Sequence, residues 1–244
     1  MQPVKHIHFD TIDSTNSYAK REHFTFAPDE ITCITADQQT AGRGRFLRHW
    51  ISPKDVNLYV TFYFRLLSGT PDLTSIAQML ACTLSRILSH EGLKTKIKWP
   101  NDILLNQKKI SGVLCETSFS ADFAEVFLGI GINVNMSLDM ASQIDQPATS
   151  LKIETGKTWD RQELLEKLQE AFEEDLEIFK TEGFAPFHDY FEDHLAFKGQ
   201  EVRCFDGKKE WMGICESIAP DGRLCLRLPD GKLHTLSSGD LFSI

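Results

Sequence analysis

The sequence predicts an α+β fold: a mixed or antiparallel sheet with helices over residues 1–196, then a small antiparallel β-barrel over 197–244. Three observations carry this expectation. Between Asp72 and His90, Leu73, Ile76, Ala77, Leu80, Leu84, Ile87 and Leu88 recur at helical spacing. Stretches such as "VNLYVTFYF" and "AEVFLGIGINVN" are rich in β-branched and aromatic residues and read as strands buried on at least one face. After Phe197 the texture changes: Asp206-Gly207, Asp221-Gly222 and Asp230-Gly231 separate four short strand-like runs, and Asp-Gly between alternating runs marks a tight hairpin.

Taken in order, "HIHFDTI" alternates like a strand, and "DSTNSYAKRE" is a short helix that Asp13, Ser14 or Thr15 can cap. "EITCITAD" is a second strand, followed by the loop "TADQQTAGRGRFLRHW". The strand "VNLYVTFYF" and the Asp72–His90 helix follow, with Gly92 as the helix stop. "TKIKWPNDILL" and "KKISGVLCETS" flank Asn106-Gln107 as a hairpin. Residues 145–157 read as loop, Trp159–Thr181 as a long amphipathic helix and Pro186–Ala196 as a second helix. The acidic run Glu170, Glu173, Glu174, Asp175 and Glu177 reads as a solvated face. A barrel this small is marginal alone and is expected to dock on the larger domain.

With 244 residues, 41% hydrophobic, the chain can bury a core without disulfide or metal staples. The six cysteines form no C-x-x-C pair and read as buried, reduced thiols. His6 and His8 share a strand face, but nothing completes a metal site around them. There is no signal-peptide h-region and no apolar run of membrane length, so a cytoplasmic location is expected, with no membrane partner. A net charge of -9 argues against broad nucleic-acid binding, which needs a basic face, but not against a local anion site.

The glycine loop is that local site's first candidate. Gly42, Arg43, Gly44, Arg45 and Arg48 combine backbone freedom with planar guanidinium forks suited to carboxylate and phosphate. The loop lacks the third glycine of a dinucleotide fingerprint and the Lys-Ser/Thr of a phosphate-binding P-loop, and taken alone it also reads as a solvated basic turn. Lys98-Trp99-Pro100-Asn101-Asp102 then supplies a tight turn carrying an amide and a carboxylate. Gly129 and Gly131 allow close backbone approach to a ligand.

Asp13-Ser14-Thr15-Asn16, Gln39 through Arg45, Lys98 through Asp102, Lys109-Ile110-Ser111-Gly112 and Gly129 through Asn133 occur in this order, and together the chain resembles the biotin protein ligases. The resemblance spans the chain, because the C-terminal barrel is similar to that family's SH3-like domain. It implies a class II synthetase-like ligase domain and a two-step reaction. Biotin and ATP form biotinyl-5′-AMP with Mg²⁺, and the biotinyl group passes to a lysine of a biotin carboxyl carrier protein such as an acetyl-CoA carboxylase subunit.

Carried over by position, the resemblance assigns biotin binding to Ser14, Thr15, Asn16, Gln39, Gly42, Arg43, Gly44, Arg45, Lys109, Gly112 and Gly131. Arg43, Arg45, Arg48, Trp50, Asn101, Lys109 and Asn133 fall at adenylate positions. Lys109, Arg45 and Asp102 are the expected catalytic residues. Asp102 pairs with Lys109 or Mg²⁺, or helps deprotonate the incoming lysine.

Two departures stand out: Leu47 replaces the family's third loop glycine, and no N-terminal DNA-binding module is expected ahead of the first strand. A homodimer built by extending the central sheet is the oligomer the resemblance allows. The rival readings are a lipoate ligase or octanoyltransferase of the same fold, which would lack the Gly-Arg-Gly-Arg loop, and a biotin-sensing repressor.

Overall fold

The structure, a computed structural model, describes residues 2–244 without the side chain of Leu47, so the Leu47 expectation falls outside the described residues. The chain begins with β1 (Val4–Ile12), α1 (Thr15–Glu22), β2 (Ile31–Gln39) and β3 (Leu58–Leu67). A 3-10 turn at Leu73–Ser75 leads into α2 (Ile76–His90). Then come β4 (Thr95–Lys98), β5 (Asp102–Leu105), β6 (Lys108–Phe119), β7 (Phe123–Ile132), α3 (Leu138–Ala141), α4 (Leu151–Thr155), α5 (Arg161–Glu182) and α6 (Ala185–His194). The last part holds β8 (Glu201–Phe205), β9 (Glu210–Ile218), β10 (Leu224–Arg227), β11 (Leu233–Leu236) and β12 (Asp240–Ser243).

Seven strands form one sheet in the order β1-β2-β3-β7-β6-β5-β4, parallel only between β1 and β2. The mixed sheet expected from sequence is therefore present. Alternation along β3 divides its two faces. Phe62 and Phe64 point toward α2 and α5, where Phe62 stacks on Phe172 with ring centroids 4.2 Å apart. Tyr63 points the other way, into a smaller cluster with Ala19, Phe26, Ile34 and Phe127 under α1. Because both faces are covered, β3 is apolar almost throughout.

The C-terminal sheet is antiparallel, ordered β11-β10-β9-β8-β12. Gly207, Gly222 and Gly231 all adopt positive φ, as hairpin turns at the three Asp-Gly pairs require. The Asp221-Gly222 turn docks against the larger sheet's side of the molecule. Its carbonyls accept from Ser75 Oγ at 2.6 Å, Gln78 Nε2 at 2.7 Å and Trp99 Nε1 at 3.0 Å. Trp99 is thus core, and it ties the Trp-Pro-Asn turn between β4 and β5 to the second sheet.

Some local expectations are corrected. The 145–157 loop contains α4, because Ser150 Oγ caps Ile153 N at 3.1 Å, Leu151 is buried, and Gly156 supplies a left-handed stop. Asp175 does not belong to a solvated face. It is buried and bonded to Thr83 at 2.5 Å and to Arg86, both presented by α2. A fifth C-terminal strand, β12, pairs with β8.

All six cysteines are free; five are buried and Cys115 is partly so. Burial pushes the thiols of Cys33, Cys115, Cys204 and Cys215 up to about 12, and that of Cys82 higher still. At pH 8 a thiol of that pKa is roughly one part in ten thousand thiolate, the reactive form. Iodoacetamide at pH 8 is therefore expected to leave these five unmodified in the native protein, while the denatured chain takes up six adducts; intact mass reads both.

Candidate active site

The cleft lies on the α1 face of the larger sheet, beyond the N-terminus of that helix. Its floor is a row of paired residues: Asp102 on β5 opposes Gly112 on β6, which opposes Gly131 on β7, which opposes Tyr59 on β3. A Cβ on Gly112 would stand 2.9 Å from Lys109 Nζ and 3.1 Å from Asp102 Oδ1, and one on Gly131 would overlap the Trp50 ring. The two glycines keep the floor bare so that these side chains can lie on it. About 820 Å³ of space, part of it open to solvent, lies above.

One wall is the start of α1. Ser14 caps the helix by accepting from Ser17 N. Gln39 Oε1 accepts from Thr15 N at 2.9 Å, and Thr61 Oγ1 donates to Asn16 Oδ1 at 2.6 Å. Gln39 in turn donates to Ser52 Oγ at 3.0 Å, so the wall is fixed to the exit of the arginine loop.

That loop forms a lid. Arg43 and His49 bridge in antiparallel fashion, Gly44 N donates to Arg48 O at 2.7 Å, and Trp50 N donates to Gly42 O at 2.9 Å. The left-handed residue at its tip is Phe46, with φ 52. The lid rests partly on the second sheet. Arg45 donates to Gly239 O at 3.0 Å and to Asn101 Oδ1 at 3.5 Å, and Arg48 pairs with Asp240 at 2.5 Å. Burial lowers the Arg45 pKa despite the nearby Asp240 and Asp102.

Lys109 Nζ sits 2.6 Å from Asp102 Oδ1 and 5.3 Å from the centre of the Trp50 ring. Lys98 also lines the cleft, and burial lowers its pKa against the pull of Asp102. Among the described residues lining the cleft, the cations Arg43, Arg45, Arg48, Lys98 and Lys109 outnumber the carboxylates Asp102 and Asp240, even with Glu116 behind the lid bonded to Arg43. An acidic protein has gathered a local excess of positive charge, suited to a ligand carrying a carboxylate and phosphates.

Of the residues singled out by sequence, Ser14, Thr15, Asn16, Gln39, Arg43, Gly44, Arg45, Arg48, Trp50, Asn101, Asp102, Lys109, Gly112 and Gly131 all line this cleft. Two do not. Gly42 is buried behind the lid, where a Cβ would meet the Trp50 carbonyl at 2.5 Å. Asn133 is buried beneath the sheet's end, its N–H donating to Ile110 O at 2.7 Å and its side chain facing Asn57. Sequence reasoning missed Lys98 as a lining cation, although it stands inside the quoted Lys-Trp-Pro-Asn-Asp run. It also missed Asp240, whose contact with Arg48 joins residues 192 apart and leaves no local signal.

Asp102 is the acidic candidate for holding Mg²⁺, and its carboxylate is engaged by Lys109. No group of three or more His, Cys, Asp or Glu side chains suited to a metal occurs among the described residues. Magnesium needs few protein ligands when phosphates supply the rest, so the donor set fits an ion arriving on a nucleotide rather than a resident one.

The profile of the biotin/lipoate A/B protein ligase family matches residues 8–133, and that of the biotin protein ligase C-terminal domain matches 198–242. The bifunctional ligase/repressor BirA of Escherichia coli is 33% identical over 94% of this chain and 71% of its own length. A biotin–[acetyl-CoA-carboxylase] ligase of Paracoccus denitrificans is 34% identical over 90% of this chain and 93% of its own. The structure of an Aquifex aeolicus biotin protein ligase in complex with biotin and ATP superposes with a TM-score of 0.82 at 31% identity, covering 98% of this chain and 97% of that one. With a lysine and a lid of arginines closing over a glycine floor, and with these matches along its length, the chain belongs to the biotin/lipoate A/B protein ligase family.

Proposed function

We propose that this protein is a biotin protein ligase that makes biotinyl-5′-AMP from biotin and ATP and transfers the biotinyl group to a lysine of a biotin carboxyl carrier protein. One observation carries the reading: Lys109 and the lid arginines converge on a floor that Gly112 and Gly131 keep open. The Paracoccus and Aquifex relatives are named as biotin ligases, which favours biotin over lipoate within a family that includes both.

In the first step a biotin carboxylate oxygen attacks the α-phosphorus, an acyl–phosphate bond forms, and the bond to the bridging oxygen breaks as pyrophosphate leaves. The nucleophile is already ionised at pH 7, so no general base is required. Lys109, Arg43 and Arg45 draw two anions together and offset charge building on the α-phosphate. Asp102 would be the protein's contact for a Mg²⁺ arriving on the nucleotide, and such an ion would offset charge on the leaving pyrophosphate. The wall residues Ser14, Thr15, Asn16 and Gln39 hold the biotin head, and Trp50 and Asn101 flank the adenine.

In the second step the carrier's ε-amine attacks the acyl carbon, loses a proton and displaces AMP. Asp102 is the carboxylate nearest Lys109 and either orients it or receives that proton. In this reading residues 1–196 do the chemistry, and 197–244 brace the lid through Gly239 and Asp240. The specific carrier is an acetyl-CoA carboxylase subunit or a similar biotin enzyme, the protein works in the cytoplasm, and nucleic acid is no partner. Among the described residues, no helix is long and apolar enough to cross a membrane. The test is pyrophosphate release with ATP, Mg²⁺ and either biotin or lipoate. Release with biotin alone supports the assignment; release with lipoate alone overturns it.

A further inference from the structure

We propose that Glu116 is the positioning residue of the lid, anchoring the Arg43 guanidinium to β6 so that the side chain is held in place at the cleft. The kinetic part of this proposal rests on the ligase reading. Along the cleft face of β6, Gly112 forms the floor, Leu114 lines the wall, and Glu116 follows two residues on. Its carboxylate joins three groups from two other elements. Arg43 Nη2 donates to Oε2 at 2.6 Å, Asn16 Nδ2 donates to the same oxygen at 3.4 Å, and Lys20 Nζ donates to Oε1 at 2.9 Å.

Glu116 is therefore the one carboxylate among the described residues that bonds both the lid and the wall of the cleft. Burial would raise its pKa, but Lys20 and Arg43 outweigh burial and hold it below the ordinary value. The group stays an anion at neutral pH.

Arg43 bears the consequence. It lines the cleft, yet its Nε is buried without a hydrogen-bond partner. Trp50 Nε1, from the same lid, is buried and unpartnered as well. A buried donor without an acceptor is costly. Both unpartnered donors belong to the lid, and Arg43 Nε lies on the guanidinium edge that faces Glu116. A planar guanidinium pinned at Nη2 has little freedom left, so its plane is oriented before any ligand binds. Glu116 thus sets lid geometry without touching substrate.

The test compares wild type, Glu116→Gln, Glu116→Asp, Lys20→Ala, Arg43→Ala and Arg43→Ala/Glu116→Gln as full-length chains. The first readout needs no substrate: limited trypsin cleavage within residues 43–48. Glu116→Gln is expected to be cut several-fold faster there, and Lys20→Ala, which removes a Glu116 partner outside the lid, at the wild-type rate. The second readout is pyrophosphate release. Glu116→Gln is expected to raise the KM for biotin about tenfold, as loss of a charge-assisted bond implies, with a much smaller change in kcat. Glu116→Asp should recover most of that, and Glu116→Gln should add nothing in the Arg43→Ala background.

Unchanged tryptic cleavage in Glu116→Gln overturns the proposal. So does a KM effect that persists in full without Arg43, or a fall in KM, which would make Glu116 a competitor for Arg43. A wild type that releases no pyrophosphate with biotin defeats the ligase reading instead, and the proteolysis arm still decides the role of Glu116.

Discussion

Lys109→Ala is expected to suppress biotin-dependent pyrophosphate release by roughly 30- to 5000-fold. The range follows from the about 2–5 kcal/mol lost when one member of a desolvated, hydrogen-bonded charge pair is removed. Lys109 Nζ is held 2.6 Å from Asp102 on the cleft floor, both side chains mostly buried. Removing the lysine strands the Asp102 carboxylate in the cleft and deletes the cation proposed to bring two anions together. Both effects oppose adenylate formation: the first by repelling biotin's carboxylate, the second by leaving α-phosphate charge unbalanced. Pyrophosphate release by Lys109→Ala within threefold of wild type would remove this residue from the mechanism.

Arg45→Gly is expected to act on retention more than on synthesis. Arg45 holds the lid to Gly239 and Asn101, and its guanidinium lies 4.9 Å from the Phe46 ring centre. Glycine in its place loses those tethers and loosens the lid backbone. The adenylate, a reactive mixed anhydride, then escapes and acylates lysines it meets by chance. Incubating the variant with a bystander protein lacking any carrier sequence should give biotinylated bystander, which wild type should barely produce. Labelling confined to the carrier would show that the lid does not retain the intermediate.

Much of the cleft was legible because its lining residues sit in short runs with local constraints. Gly112 and Gly131 are glycines because Lys109, Asp102 and Trp50 occupy the space a Cβ would take. The Asp-Gly pairs announced the C-terminal hairpins because each turn needs positive φ. What escaped depends on partners far away in sequence. Asp175 looks like one more acid in an acidic helix until α2 presents Arg86 and Thr83 to it. Asp240 sits in a short closing strand with no patterning of its own, and only folding sets it against Arg48. Asn133 shares a motif with Gly131, but β7 ends between them, and the backbone turns its side chain toward Asn57. Glu116 reads as an ordinary strand acid until α1 and the lid close around it.

In the proposed mechanism the cleft activates biotin and hands it to a lysine. Intact-mass spectrometry of a biotin carboxyl carrier domain, incubated with this protein, ATP, Mg²⁺ and biotin, tests it most directly. The expected result is one added biotinyl group, dependent on ATP and located on a single lysine. A carrier of unchanged mass, or one that gains a lipoyl group from lipoate but nothing from biotin, would contradict it.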